Sequence, residues 1–467
     1  MSNKTKIICT IGPASNSVDI LVSLINSGMD AARLNFSHGN YDSHKEMISN
    51  IRAASGKCGI KIPIIMDLQG PKIRVGNLEN GSIKLIKDNL IRISGNQVTG
   101  KKDVISSTYK NLIDDLKEGD IILLDDGLLK LQVIDITGGE AVCKIIKGGI
   151  LKEKKGINLP HTNLKLPSLS EKDYSDIEFG IINKIDLLAL SFVREPEDVL
   201  KLKEHLNNKN YNIPVISKIE RPEAINRIDE IINVSDAVMV ARGDLGIEIS
   251  PEDVPVLQKM IIKKCNQNLK PVITATQMLE SMVVNLIPTR AEASDVANAI
   301  LDGTDCVMLS AETSVGSDPV NVVQTMERII LKTEANKKPK FFEITGKEGP
   351  LKSLCNSATE LASRIDAKVI VTITKTGKSP LYLSSHRVQS KIISASNDDK
   401  INKFVHILWG VKPYYLNDYD NLPGIFDEII KFIISEKSAR KGDKIIIIYN
   451  KSTDEIESAD TISVVEI

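Results

Sequence analysis

Short apolar, β-branched runs alternate with longer amphipathic stretches through most of this chain. The runs lie at 6–11, 31–36, 62–68, 186–192, 214–219, 237–241, 271–276 and 306–310. Most hold two or three apolar residues in succession, as expected of strands buried on both faces. The spacers at 18–27, 44–55, 195–206, 222–232, 254–268 and 289–299 suit helices. Eight such units predict an α/β fold of the (β/α)8 TIM-barrel type. A doubly wound open sheet is the alternative, because counting strands does not prove closure.

The spacing breaks once, between the third run and the fourth. The insert at 71–165 is punctuated by glycines and alternates short apolar strands with turns, an all-β signature. It is entered at Gly70-Pro71 and left near Leu166-Pro167, which suits a lid hinged over the barrel mouth. After a helix at 318–333 and a polar link at 334–340, the chain again reads α/β. That stretch predicts helices at 351–365 and 379–385 and strands at 367–374, 392–396 and 444–449. The expected division is a barrel over 1–70 and 166–335, an inserted β-barrel lid over 71–165 and a C-terminal α/β regulatory domain over 336–467.

Composition narrows the function classes. Of 467 residues, 42% are hydrophobic and 26% charged, a soluble globular balance. A net charge of −1 leaves no basic footprint for nucleic acid or a membrane surface. No apolar run approaches the roughly 20 residues that span a bilayer, and Met1-Ser2-Asn3-Lys4 carries no apolar signal region. The six cysteines form no CxxC pair and read as reduced thiols, so a cytoplasmic location is expected. The six histidines never fall at zinc-ligand spacing, so any metal here is expected to be a hard cation held by oxygens.

In such a barrel the chemistry lies at the C-terminal ends of the strands. The second strand ends Arg33-Leu34-Asn35-Phe36-Ser37-His38-Gly39; alternation puts Arg33, Asn35 and Ser37 on one face, a guanidinium, an amide and a hydroxyl suited to phosphate. The fifth ends Ser217-Lys218-Ile219-Glu220, so Lys218 and Glu220 project together. Alone they read as a plain salt bridge. The sixth continues Arg242-Gly243-Asp244, placing a second carboxylate on the neighbouring strand. Two such carboxylates, completed by substrate oxygens and water, fit magnesium. Backbone amides around Gly243 can meet an anion. Thr274 and Thr276 share a face at the end of strand seven, and Glu312 follows strand eight. In the third domain Thr374, Thr376, Gly377, Lys378 and Ser379 form a loop ahead of a helix; it reads equally as a phosphate site or an ordinary helix start, and it lacks the upstream glycine of a P-loop.

Taken together these strings resemble the pyruvate kinase family. The motifs are KTKIICTIGPA at 4–14, RLNFSHG at 33–39, SKIE at 217–220, MVARGDLGIE at 239–248, ATQMLESM at 275–282 and MLSAET at 308–313, with similar segments at 156–160 and 170–173. They occur in family order and cover essentially the whole chain. The resemblance implies phosphoryl transfer from phosphoenolpyruvate to ADP, giving pyruvate and ATP. It implies that Glu220 and Asp244 hold Mg2+ or Mn2+, and that Lys218 stabilises charge on the transferred group. Arg33 would grip the phosphoryl group, Gly243 and Asp244 the carboxylate, and Thr276 would help to deliver the enolate proton. Asn35, Phe36, Ser37, His38, Arg74 and Lys155 match nucleotide positions. The loop Thr374–Ser379 matches a region where sugar phosphates can act, which implies a sugar-phosphate or nucleotide effector without identifying it. The resemblance also suggests a homotetramer.

One segment departs from the usual pattern. Many family members require potassium, held by residues matching Asn35, Ser37, Asp67 and the threonine after that aspartate. Here Leu68 replaces the threonine, Gln69 a lysine, and Lys72 a glutamate of the potassium-dependent branch. A tethered ammonium can supply the charge of a monovalent cation. The segment is similar to the potassium-independent branch, so activity without added potassium is expected. A Schiff-base lyase using Lys218 and a non-catalytic regulatory paralogue are the other readings. Glu220 and the nucleotide positions argue against the first, and the intact Arg33, Lys218, Glu220, Asp244 and Thr276 against the second.

Overall fold

The eight apolar runs form eight parallel strands: Lys6–Thr10, Met29–Asn35, Ile64–Asp67, Leu187–Leu190, Val215–Ile219, Ala237–Ala241, Val272–Ala275 and Cys306–Leu309. In this computed structural model, which describes residues 3–160, 162, 164–336, 344–345, 349–417, 422–451 and 459–467, each strand pairs with the next. The first pairs with both the second and the eighth, so the ring closes and the open-sheet alternative is excluded. The strands are buried on both faces, which is why they read as continuous apolar runs. Their outward side chains pack on the surrounding helices, while Ile8, Ile65, Ile216, Met239 and Ile273 fill the lumen. The helix expected at 222–232 is two, Pro222–Asn226 and Ile228–Val234, because Arg227 leaves the helical backbone between them (φ −116°, ψ 24°).

The insert folds around its own apolar core on a six-stranded sheet and a two-stranded ribbon. It also holds a short helix, Leu112–Asp115, which an all-β reading does not anticipate. Its entry and exit segments pair with each other: Val75 N–H donates to Lys155 O (2.8 Å) and Ile157 N–H to Ile73 O (2.9 Å). The connection to the barrel is therefore a two-stranded ribbon, anchored where Gly70 N–H donates to Asp173 on the helix Glu171–Ile182 (3.0 Å).

The C-terminal domain carries a five-stranded sheet in the order Val411–Tyr415, Lys391–Ser396, Val369–Ile373, Lys444–Tyr449, Thr461–Glu466. Only the last strand runs antiparallel. The two edge strands escape a sequence reading for physical reasons. Pro413 interrupts the first, which an edge tolerates, and the second is only partly buried. The polar link leaves the described residues after Asn336. At the barrel floor the buried Arg387 pairs with Asp305 (2.7 Å) and donates to Asn266 Oδ1 and Gly303 O. Beside it Ile407 joins the lumen cluster, and Cys306 Sγ lies 3.2 Å from Ile407 O. Among the described residues no helix is long and apolar enough to cross a membrane.

Candidate active site

Five strand ends converge on one buried cluster at the barrel mouth. Lys218 Nζ lies 2.9 Å from Glu220 Oε1 and 3.1 Å from Asp67 Oδ1, and donates to Ser191 Oγ at 2.6 Å. The alternation that puts Lys218 and Glu220 on one face holds. Arg33 closes the other side of Asp67, with Nε 2.7 Å from Oδ2, and donates through Nη1 to Thr10 Oγ1 (2.9 Å). Ser191 donates to Leu68 O at 2.7 Å, fixing the strand-three end beside strand four. Asp67 is thus the hub of the cluster, and Ser191 its brace. Polar residues closing strands three and four were the available signal for both.

The electrostatics follow from burial set against pairing. Burial alone would lower the Lys218 ammonium, but Asp67 and Glu220 outweigh it and hold Lys218 protonated well above its ordinary value. Burial would likewise raise Asp67, yet Lys218 and Arg33 prevail and keep it below the usual carboxylate range. Glu220 goes the other way: burial raises its carboxyl, Lys218 only partly offsets this, and neighbouring Asp244 raises it further. Its Oε2 accepts from Phe192 N–H (2.8 Å), while its buried Oε1 faces Lys218 without a well-aligned hydrogen bond. Asp244 is part-exposed, and Lys72 Nζ stands 3.7 Å from its Oδ1, beyond hydrogen-bond reach. Two neighbouring carboxylates with repulsion left over and oxygens to spare fit a hard divalent cation. Among the described residues no group of three or more metal-ligating side chains exists, so two carboxylates would leave the remaining positions to substrate oxygens and water.

Thr276 adds strain to the rim. It sits at φ +67°, a backbone conformation costly for a β-branched residue, and Gln277 follows at +55°. Its hydroxyl donates to Ala275 O (2.6 Å) and accepts from Gly243 N–H (2.7 Å). Arg242, in turn, donates to Thr276 O (2.6 Å) and pairs with Asp295 (2.6 Å). The Gly243 amide therefore meets Thr276 in this structure, and a carboxylate ligand would share or displace that contact. Gly243 lies in the first turn of a short helix, Arg242–Glu248.

The nucleotide positions are less tightly gathered. Asn35 Oδ1 accepts from Ser37 N–H (3.1 Å), and the Phe36 ring stacks on His44 at 4.0 Å between centroids. Lys172 supports that loop by donating to Phe36 O (2.9 Å). His38 is held below its ordinary value by burial and by Arg74, Lys72 and Arg33, which places three cations around it. Arg74 and Lys155 both lie on the connecting ribbon; Arg74 donates to Lys154 O and Lys155 pairs with Asp125 of the insert (2.8 Å). Far from this mouth, Thr374 Oγ1 accepts from Gly377 N–H (2.9 Å) and Thr376 N–H (3.3 Å), with Gly377 at φ +74°. Ser379 is buried and shares its hydroxyl with Thr372 (2.6 Å), supporting that loop from beneath.

Comparison with known proteins places the chain in a family. Residues 2–323 match the family model described as pyruvate kinase, barrel domain, and residues 352–465 the one described as pyruvate kinase, alpha/beta domain. The chain belongs to the pyruvate kinase family. It is 44% identical over 454 residues to the pyruvate kinase of Geobacillus stearothermophilus, covering 96% of this chain and 77% of that one. Against the pyruvate kinase of Bacillus licheniformis the identity is 45% over 451 residues, with coverage of 95% and 77%. The crystal structure of a pyruvate kinase from Cryptosporidium parvum superposes with a TM-score of 0.93 at 37% identity, covering 99% of this chain and 96% of that one. Pyruvate kinases are phosphotransferases, and the chain is an enzyme of that class.

Proposed function

We propose that this enzyme transfers the phosphoryl group of phosphoenolpyruvate to ADP, giving pyruvate and ATP in glycolysis. The observation that carries the reading is Lys218, buried and protonated between Asp67 and Glu220, with Asp244 arriving from the next strand. Such a transfer asks little covalent work of a protein, so positioning and fixed charge dominate. Lys218 would stabilise charge on the group in flight, and Arg33, braced by Asp67 and Thr10, would orient it. Glu220 and Asp244 would hold Mg2+ or Mn2+; when bound, the ion supplies positive charge to the substrate's oxygens. Thr276 would hold the proton path at the enolate carbon, and Asn35, Phe36, Ser37, His38, Arg74 and Lys155 would take the nucleotide. A protonated Lys218 is a poor Schiff-base nucleophile, which weighs against the lyase reading.

The finer readings extend this one. Lys72 stands beside Asp244 and brings a fixed ammonium to the barrel mouth, and with Leu68 and Gln69 replacing the potassium-dependent residues, turnover is read as potassium independent. Barrel (1–70, 166–335), lid (71–165) and C-terminal domain (336–467) are read as catalytic, gating and regulatory units of a cytoplasmic homotetramer. The loop Thr374–Ser379 is read as the effector region, for a sugar phosphate or nucleotide. A coupled assay with phosphoenolpyruvate, ADP and magnesium in potassium-free, sodium-free buffer tests the proposal. Full turnover is expected. No turnover in any buffer sinks the function, and turnover that appears only with added potassium sinks the potassium reading.

A further inference from the structure

The connecting ribbon sends two side chains onto one helix of the barrel rim. Lys72, on the entry strand, faces Asp244 (3.7 Å), and Asn158, on the exit strand, donates through Nδ2 to Glu248 Oε1 (2.9 Å). Asp244 and Glu248 lie four residues apart on the helix Arg242–Glu248, one turn along the same face. Glu248 turns its other oxygen to Arg221, with Nη1 at 3.0 Å from Oε2. Arg221 directly follows Glu220 in the chain, pairs with Glu223 (2.9 Å) and reaches back to Leu159 O on the exit strand (3.4 Å). One carboxylate thereby joins three things: the lid's exit strand, the residue after one proposed metal ligand, and the helix that carries the other.

We infer that Glu248 is a positioning residue that couples the lid to the spacing of Glu220 and Asp244. The inference rests on the metal reading given above. Asn158, Arg221 and Glu248 are all buried, and a buried charge is strongly disfavoured once its partner leaves. The contacts therefore hold as a unit rather than loosening one at a time. Beneath the ribbon lies a cavity of about 40 Å³ lined by Lys72, Asn158, Phe192, Arg221 and Glu248 among others. Apolar packing is incomplete there, so the polar contacts set the ribbon's height above the helix. Movement of the lid pulls on Glu248 directly, and through it on both carboxylates. Outer contacts of this kind typically tune metal affinity by tenfold or more.

The test uses the full-length enzyme without substrate or nucleotide. Mn2+ binding is followed by the electron paramagnetic resonance signal of the free ion, and amide hydrogen exchange is read on the ribbon. Wild type should bind Mn2+, and Glu220→Gln and Asp244→Asn should abolish binding. Asn158→Ala removes only the lid side and leaves the Arg221–Glu248 pair intact, so it remains informative if Glu248→Gln fails to fold. It should weaken Mn2+ binding on the order of tenfold and speed exchange at 72–75 and 155–158, with Val369–Ile373 unchanged. A purely structural contact would alter stability and ribbon exchange but leave the Mn2+ affinity unchanged. Wild type that binds Mn2+, together with an Asn158→Ala enzyme whose affinity or ribbon exchange stays within twofold, overturns this proposal alone. Wild type that binds no Mn2+ overturns the metal reading and this proposal with it.

Discussion

Lys72 Nζ stands 3.7 Å from Asp244 Oδ1, one residue rooted in the ribbon that joins insert and barrel and the other in the barrel rim. That separation gives Coulomb attraction without a hydrogen bond, so the ammonium remains available to a negatively charged substrate. Lys72→Glu should reverse the local charge and make turnover depend on potassium. Rates measured across a potassium series against a non-coordinating cation decide the matter. The same flat response in variant and wild type counts against a role for Lys72.

Lys218→Met removes the cation shared by Asp67 and Glu220. Arg33 still holds Asp67, but Glu220 is left buried beside Asp244. Breaking a buried pair from one side costs about 3–5 kcal/mol, and the retained Arg33 contact points to the lower end of that range. Turnover should fall on the order of a thousandfold through lost charge stabilisation. Chemical denaturation and kcat measured on one preparation separate the two effects. Turnover within tenfold of wild type contradicts the assigned role.

Asp67 gives the site a defined acid limb. Its carboxyl is depressed in the folded state, so its contribution to stability is present above the unfolded value of about 3.9 and is lost as pH falls through the folded value. The melting-temperature gap between wild type and Asp67→Asn should stay constant from about pH 8 to 5 and narrow below about pH 4. Scanning fluorimetry across that range checks it; a gap that widens on acidification has the wrong sign.

Gly70 is required by both its backbone and its neighbours. At φ +69° it adopts a conformation that L side chains rarely take, and an added Cβ would stand 2.8 Å from Phe192 Cδ2 and 3.1 Å from Ser191 Cβ. Gly70→Ala should destabilise by about 1–3 kcal/mol. Because Ser191 accepts from Lys218, the displacement should also lower kcat. Thermal unfolding and steady-state kinetics give both numbers, and an unchanged kcat separates the Gly70 turn from the site.

The barrel was legible because its strands are buried on both faces, which forces runs such as Ile7-Ile8-Cys9 and Ala237–Ala241 to be apolar throughout. Lys218 and Glu220, a plain salt bridge on their own, became legible only together with Asp244 at the end of the neighbouring strand. Other features leave weak traces in sequence. The hub role of Asp67 depends on Arg33 and Lys218 arriving from other strands, a relation set by barrel closure rather than local spacing. Ser191 passes as an ordinary strand end. The strained backbone at Thr276 is held by Arg242 and Gly243, on the helix that follows the neighbouring strand. The Asn158–Glu248 contact spans 90 residues and joins an amide to a carboxylate, types too common to signal a partner.

Ile407 belongs to the C-terminal domain by sequence, yet its side chain completes the floor of the barrel lumen. The domains are therefore separable as segments of chain but not as packing units. A barrel cut free after residue 336 would open its own lumen to water at the floor, opposite the mouth where the chemistry lies. Any exchange of C-terminal domains between relatives has to conserve the shape of this one apolar plug, together with the Arg387–Asp305 pair beside it. Such an exchange is a core substitution as much as a domain swap.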